Sequence, residues 1–381
     1  MTVLGSMSID IFAASLPVIA EEFGSSIASA QVTFTLFLAG MGLGQLMWGP
    51  MSDRVGRRLV VAIGLSGWIL TSVGGALATD LTTFVLLRLL AGVFGSTGVV
   101  IARSIVRDLA PTPRVLSSGI GWLSTVSSMA PTVAPVLGAL IAAAWGWRAD
   151  FVSLAVVGII MLSLFMATVP ETAVHRETAR LPLVRAIASG LQGAFRNREL
   201  RFVACALALQ AVGFYAYISS MSFIVESRYG HSSIFFATLF GVNAGAMLIA
   251  NVIFRYAART KPITALMGVG LTLSAVSGPM LFVASWTGLP EAVLWISTTL
   301  FASSMGIIFP AAHTWGQSTG VLSGSASALT GSAQFLGGVL GSPLTGIFGS
   351  TPLSLGAVIG VSSVLAIMAW RFAKKRRALP L

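Results

Sequence analysis

The amino-acid sequence predicts an all-α integral membrane protein of about twelve spanning helices, arranged as two halves of six. Three observations predict it. Hydrophobic residues fill 55% of the 381 positions and charged residues only 9%, whereas an ordinary soluble domain is about 25% charged. Apolar runs of roughly 20 residues, the length that crosses the hydrocarbon core of a bilayer, follow one another along the chain. One charged segment, Glu171 to Arg201, interrupts them near the middle.

Taken in order, the first half reads as spans near residues 2–20, 30–50, 59–78, 82–104, 115–144 and 150–169, an N-terminal unit over 1–169. The stretch 170–201 carries His175, Arg176, Glu177, Arg180, Arg185, Arg196, Arg198 and Glu199, and reads as a cytoplasmic loop joining the halves. The second half, 202–372, reads as spans near 202–226, 234–255, 262–286, 291–310, 321–348 and 352–372, with a basic cytoplasmic tail over 373–381.

Charge sets the topology. Drawn this way, all but three of the 23 Lys and Arg fall on one face, which the positive-inside rule makes cytoplasmic, with both termini on that side. Arg148 and Arg228 fall on the other, together with Glu21, Glu22, Asp80, Asp150, Glu226 and Glu291; the third, Arg88, lies within a span. The net charge of +11 is therefore a topology signal and not a nucleic-acid footprint. Cys205 is the sole cysteine, which excludes an intramolecular disulfide and a thiolate metal cluster. His175, His231 and His313 are scattered, and neither H-E-x-x-H nor G-x-S-x-G occurs, so no catalytic or metal-ligating set is expected and the chain does not read as an enzyme. The first apolar stretch lacks a basic leader, so no cleavable signal is expected.

Two charges inside spans carry the chemistry. Asp10 stands mid-span in Met7-Ser8-Ile9-Asp10-Ile11-Phe12. A central carboxylate costs roughly 2.5–3.5 kcal/mol to insert, and such residues usually face a wet cavity and carry protons or ions. Arg88, in Leu86-Leu87-Arg88-Leu89-Leu90-Ala91-Gly92, needs an acceptor, either a substrate group or a carboxylate such as Asp10.

Between the second and third spans lies Gly49-Pro50-Met51-Ser52-Asp53-Arg54-Val55-Gly56-Arg57-Arg58. Pro50 and Gly56 predict a tight hairpin that leaves and re-enters the bilayer within a few residues. This pattern resembles the corresponding loop of the major facilitator superfamily. The resemblance implies two six-helix halves around a central cavity, with the loop aspartate facing the start of the eleventh span near Ser323 and Gly324. It also implies a conformational gate built from Asp53, Arg54, Gly56, Arg57 and Arg58, joined by Arg107 and Asp108 at the end of the fourth span. Arg88 resembles the arginine of a fourth-span motif tied to proton coupling, with Ala91 where that motif has glutamine. Pro131, Pro135 and Gly138 resemble the fifth-span antiporter motif of drug exporters, with Ala134 and Ala139 replacing glycines; two prolines four apart predict a bent helix.

Three later stretches narrow the family. Phe214-Tyr215-Ala216-Tyr217-Ile218-Ser219-Ser220, Gly306-Ile307-Ile308-Phe309-Pro310 and Gly324 to Gly338 are similar to the seventh, tenth and eleventh spans of the Bcr/CflA drug-resistance transporters. That resemblance implies a proton-coupled antiporter in the cytoplasmic membrane, exporting lipophilic antibiotics of the bicyclomycin or chloramphenicol and florfenicol type, with the proton as coupling ion, no other cofactor and a monomeric state. Export of a cell metabolite, an amino acid or a sugar, is the alternative. The family layout also implies a cytoplasmic lead before the first span, so the sequence is expected to begin a few residues short. Tyr215, Tyr217, Phe223, Asn243, Gln334 and Phe335 would give the cavity aromatic faces and hydrogen-bonding groups. The second half is otherwise almost free of ionisable residues within its spans, His313 reading as a loop residue just past the tenth, so coupling is expected in the first half. The basic stretch Phe254 to Pro262 keeps the charge of the hairpin but lacks its Asp-Arg-x-Gly pattern.

Overall fold

The computed structural model describes residues 2–11, 15–25, 27–173, 183–347, 349 and 351–377, and these form helices joined by short turns. Such a result follows from the solvent. With no water in hydrocarbon to satisfy peptide groups, a spanning segment closes its hydrogen bonds within itself.

In the first half the helices are α1 (Thr2–Asp10), α2 (Leu16–Glu22), α3 (Ile27–Val55), α4 (Arg57–Leu77), α5 (Leu81–Leu109), α6 (Pro113–Trp145) and α7 (Arg148–Thr168). Then come α8 (Leu183–Arg196), α9 (Arg198–Ser222) with a π-helical turn at Phe223–Arg228, α10 (Ser233–Ala257), α11 (Ile263–Thr287), α12 (Glu291–Gln317), α13 (Ser323–Ile347) and α14 (Pro352–Arg377). Side-chain caps mark several starts: Asp80 accepts from Thr83 N at 2.8 Å, Asn197 from Leu200 N at 2.9 Å and Ser232 from Phe235 N at 3.2 Å. Among the described residues nine helices are long and apolar enough to cross a membrane. The other three predicted spans correspond to α1 with α2, to α6 and to α13.

Four expectations are corrected. The first span is not one helix over 2–20 but two, α1 and α2. Pro17 cannot donate to the carbonyl four residues before it, and side chains from other helices serve polar groups on both sides of the gap, as described below. The hairpin does not begin at Pro50, which lies inside α3; the helix continues to Val55 and Gly56 alone makes the turn, at φ 99°. The tenth span does not stop at Pro310 either, so His313 is a buried helical residue and not part of a loop. Membrane helices tolerate proline because neighbouring groups satisfy the freed carbonyl. Finally, the central segment contains α8; the predicted charges at His175, Arg176, Glu177 and Arg180 lie outside the described residues.

The fold divides into two compact units. The first comprises Met1–Ala110, Met129–Ala194 and Val321–Ser332; the second comprises Pro111–Ser128, Phe195–Gly320 and Ala333–Leu381. In the first, α3 packs along α5, and α4 packs on α5 and α7. Gly40 and Gly92 lie where any Cβ would strike the facing backbone of the other helix, so small residues set this approach. In the second, α11 packs on α12 and α14, α9 on α14 and α10 on α12, around Leu271, Phe301, Met305 and Trp315. Leu70, Ile159, Ile249 and Val361 are exposed on helix faces. In water such faces would aggregate; in a bilayer they meet their solvent.

Candidate functional site

A buried polar cluster lies in the first unit, where the last turn of α3, the start of α4, the end of α5 and the first turn of α13 meet. Asp53 is 5% exposed, and its carboxylate accepts from Gly324 N at 2.9 Å, Ser325 N at 3.0 Å and Ser325 Oγ at 3.2 Å. The first N–H groups of any helix lack intrahelical acceptors, and the helix dipole favours an anion there. A carboxylate on the α13 N-terminus answers both needs. Arg57, also buried, joins the acids: its Nη1 lies 2.9 Å from Asp53 Oδ1 and its Nε donates to Asp108 Oδ2 at 3.0 Å. Its Nη2 donates to Ser323 Oγ at 2.6 Å, and that hydroxyl in turn donates to Asp108 Oδ1 at 2.8 Å. Arg57 Nη1 also donates to Ser52 Oγ.

Arg58 takes no part in this cluster. Its guanidinium donates to the carbonyls of Met166, at 2.8 Å, and Val169, the orphan acceptors at the C-terminal end of α7. Neighbouring residues in sequence thus serve different helices. Gly56 has its α4-side backbone flanked by Glu171, a group the sequence reading passed over as loop. Glu171 accepts from Arg57 N at 2.8 Å and Arg58 N at 3.1 Å, and from Thr172 N and Ala173 N. Partial burial alone would push its carboxyl up, but these four backbone donors outweigh it and hold the group below the ordinary glutamate range. Arg54 and Arg107 are half-buried at the same ends of α3 and α5. Over the cluster lies α8, whose Gly190 approaches Pro50 and Ser325 closely enough that a Cβ would stand 2.8 Å from Ser325 Oγ. Deeper in this unit Gln45 is fully buried against Gly331, beside Arg103, and Ser104 Oγ donates to Ser327 Oγ at 3.4 Å.

A second polar group surrounds the gap between α1 and α2. Arg88 is 2% exposed, and its Nη2 donates to the Ser8 carbonyl at 2.6 Å, with its guanidinium over the Phe37 ring at 4.3 Å. Ser8 lies in the last turn of α1, where carbonyls need donor partners from outside the regular ladder; the buried arginine supplies a donor to it. Trp68 Nε1 donates to Ser8 Oγ at 3.1 Å. Asp10 closes α1, and its side chain lies outside the described residues. Across the gap Ser15 Oγ donates to Asp150 Oδ2 at 3.2 Å. Asp150, assigned by the topology to the outer end of its span, is wholly buried in the first turn of α7, where Phe84, Trp147 and Phe151 form an edge-to-face aromatic wall around that turn. Gly138 of the antiporter motif presses against the Ile11 carbonyl, an approach no Cβ would permit. Helix α6 runs unbroken through Pro131 and Pro135, whose side chains lie outside the described residues.

In the second unit Phe214, packed on both Tyr215 and Tyr217, links several of the six predicted cavity residues. Asn243 Nδ2 donates to Tyr217 Oη at 2.8 Å, and Asn243 Oδ1 accepts from Thr299 Oγ1 at 2.6 Å, within a cage of Phe240 and Phe301. Tyr215 packs on Phe335 and Phe214. Gln334 Oε1 lies 2.9 Å from His313 Nε2. Phe223 opens the π-helical turn and is 46% exposed. The one sequence signal for His313 was its spacing within an apolar run; Pro310 obscured it. For Asp150 the signal was an acid directly before the aromatic Phe151 at the start of an apolar run.

Comparison with known proteins follows the same lines. The Major Facilitator Superfamily profile matches residues 1–342. The chain is 30% identical over 99% of its length to an uncharacterised MFS-type transporter of Bacillus subtilis, 94% of which is covered. It is 26% identical, at 99% and 94% coverage, to a bicyclomycin resistance protein homolog of Haemophilus influenzae. It is 25% identical, at 97% and 93%, to multidrug resistance protein D of Escherichia coli. Among solved structures the proton:xylose symporter XylE superposes with a TM-score of 0.80 at 16% identity, covering 98% of this chain and 93% of the other, a likeness of fold. The hairpin, the paired halves and the full-length matches agree: this chain belongs to the major facilitator superfamily, among relatives of the bicyclomycin-resistance type.

Proposed function

We propose that the protein is a proton-driven exporter of small lipophilic drugs in the cytoplasmic membrane, working as a monomer with both termini in the cytoplasm. The observation that carries the transport reading is the Asp53 carboxylate seated on the first turn of α13. Helix α13 begins in the first unit and continues in the second. A carrier that exposes its site alternately to two sides needs a contact that holds one state yet releases within the cycle. A charge on a helix terminus, worth up to about 2 kcal/mol in partly buried geometry, suits that requirement. Arg57, Asp108 and Ser323 extend the same contact, with Arg54, Gly56, Arg58 and Arg107 around it.

Relatives named for bicyclomycin and multidrug resistance support a drug as cargo. In the cycle, Asp10 takes a proton from outside, and its release to the cytoplasm accompanies capture of drug on that side. Linkage then requires that proton and drug each weaken the other's complex. Arg88, holding the Ser8 carbonyl two residues before Asp10, is placed to sense that exchange. One charge moving through about 100 mV supplies roughly 2.3 kcal/mol, so exchange of one proton for a neutral drug is electrogenic and driven outward. Tyr215, Tyr217, Phe223, Asn243, Gln334 and Phe335 are the proposed drug contacts; Pro131, Pro135 and Gly138 are the proposed antiporter motif, of which Gly138 lies against the Ile11 carbonyl.

The test is expression in a drug-sensitive bacterial host. Wild type is expected to raise resistance to chloramphenicol or bicyclomycin, and Asp10→Asn and Arg88→Ala to abolish the gain at equal membrane abundance. Wild type without any gain against an amphenicol, bicyclomycin or a lipophilic cation refutes drug export, and unchanged pH dependence in Asp10→Asn refutes its proton role.

A further inference from the structure

Asp150 is a carboxyl group that the scheme above does not use. Its side chain has no exposed surface, and Oδ2 accepts one hydrogen bond, from Ser15 Oγ at 3.2 Å, while among the described residues Oδ1 has no hydrogen-bond partner. Buried polar atoms are nearly always satisfied, so a carboxylate oxygen left over in an enclosed site calls for a cause. The charged groups near it are engaged elsewhere. On its own helix, Arg148 pairs with Glu22 of α2 and donates to the Ala78 carbonyl at 3.1 Å. On α5, Asp80 is taken by Thr83 and Arg88 donates to the Ser8 carbonyl. Where α4 meets the first turns of α7 it presents Trp68 and Gly75, and its charge toward α7, Arg58, is taken at the opposite end of that helix by the carbonyls of Met166 and Val169. Glu21 is exposed, and the Asp10 side chain lies outside the described residues. Among the described residues no cation is paired with Asp150, so an ionised carboxylate there would be an uncompensated buried charge.

We infer that Asp150 is a second proton-binding site of the transporter, joined to Ser15 at the start of α2. Arg88 and Asp150 bracket the α1–α2 gap: Arg88 holds Ser8 at the end of α1, and Asp150 holds Ser15 at the start of α2. With its proton, Asp150 sits as a neutral acid against the aromatic wall; when it loses that proton, the anion draws on the Ser15 hydroxyl. Its protonation state is thereby tied to the position of α2 relative to α7. The purpose of such a site rests on the proton-driven reading, but the site itself is tested without substrate.

The experiment is a pH titration of the purified full chain in lipid nanodiscs, read by difference infrared spectroscopy of the protonated carboxyl C=O stretch. A band that fades as pH rises is expected in wild type, lost at every pH in Asp150→Asn and kept in Asp10→Asn. Ser15→Ala, which retains the acid and removes its hydroxyl partner, is expected to move the midpoint of that band. The inference is overturned if Asp150→Asn keeps every titrating band, if the band it removes does not change with pH, or if Ser15→Ala leaves the midpoint where wild type has it. Should Asp150→Asn fail to fold, the Ser15→Ala midpoint decides alone. Drug export fails separately, on resistance by the wild type.

Discussion

Replacing Asp53 by Asn tests the α13 contact at its centre. The amide keeps one acceptor oxygen for Gly324 N, but its NH2 then faces Ser325 N–H, a donor, and the ion pair with Arg57 Nη1 is gone. A hydrogen bond to a charged group is worth about 1.5–3 kcal/mol and the charge on the helix terminus about 0.3–1 kcal/mol, so the loss is about 2–4 kcal/mol. At 1.36 kcal/mol per decade this raises the released population roughly 30- to 900-fold. Ser327 reads that population, being fully buried against Ser104 in the same packing. In a Cys205→Ser background, Ser327→Cys is reacted with a membrane-impermeant maleimide on inside-out vesicles. The labelling rate is expected to rise in Asp53→Asn by about the factor above. An equal rate in the two proteins refutes the argument that Asp53 holds the first turn of α13 in place.

Three further outcomes are expected. Gly331→Val drives a side chain into Gln45 and Arg103, where a Cβ already stands 2.9 Å from Arg103 Nη1; overpacking costs about 1–3 kcal/mol, seen as a lower midpoint in thermal unfolding of the detergent-purified protein, and an unchanged midpoint contradicts the packing described. Arg88→Met removes a charged donor to the Ser8 carbonyl and is expected to lower thermal stability by about 1.5–3 kcal/mol for the lost charge-assisted hydrogen bond, whereas Arg88→Lys, which keeps a charged donor group, should recover part of it. Glu171→Gln tests the donors around Gly56: because the folded carboxyl is held below its ordinary value, its contribution is present above the unfolded glutamate range and lost as pH falls through the lowered folded value. The variant should therefore unfold earlier than wild type near neutrality and match it in acid; a gap that persists in acid would contradict the carboxylate's role.

How far the sequence could be read differs from residue to residue, and the reason is range. Hydropathy, periodicity and the distribution of Lys and Arg are local quantities, so the two sets of six spans, the chemistry of the Asp53 hairpin and the family were open to inspection along the chain. So was the likelihood that Asp53, Arg57 and Asp108 share a region, since each sits at the end of a span on the same face. Which side chain meets which is not local. Asp53 finds its donors 271 residues away on α13, and Arg57 and Arg58, adjacent in sequence, turn to different helices. The continuity of a helix through proline is equally nonlocal. Pro50 and Pro310 sit within α3 and α12, while the span holding Pro17 is divided, because only there do Arg88 and Asp150 from other helices serve the groups beside the gap. Composition and hydropathy alone determined that this chain lives in a bilayer, and the distribution of Lys and Arg carries the expectation of which face is cytoplasmic. Only the packing decided that Asp150 is enclosed and that His313 is a buried helical residue rather than part of a loop, since burial of a polar group depends on what other segments deliver to its side.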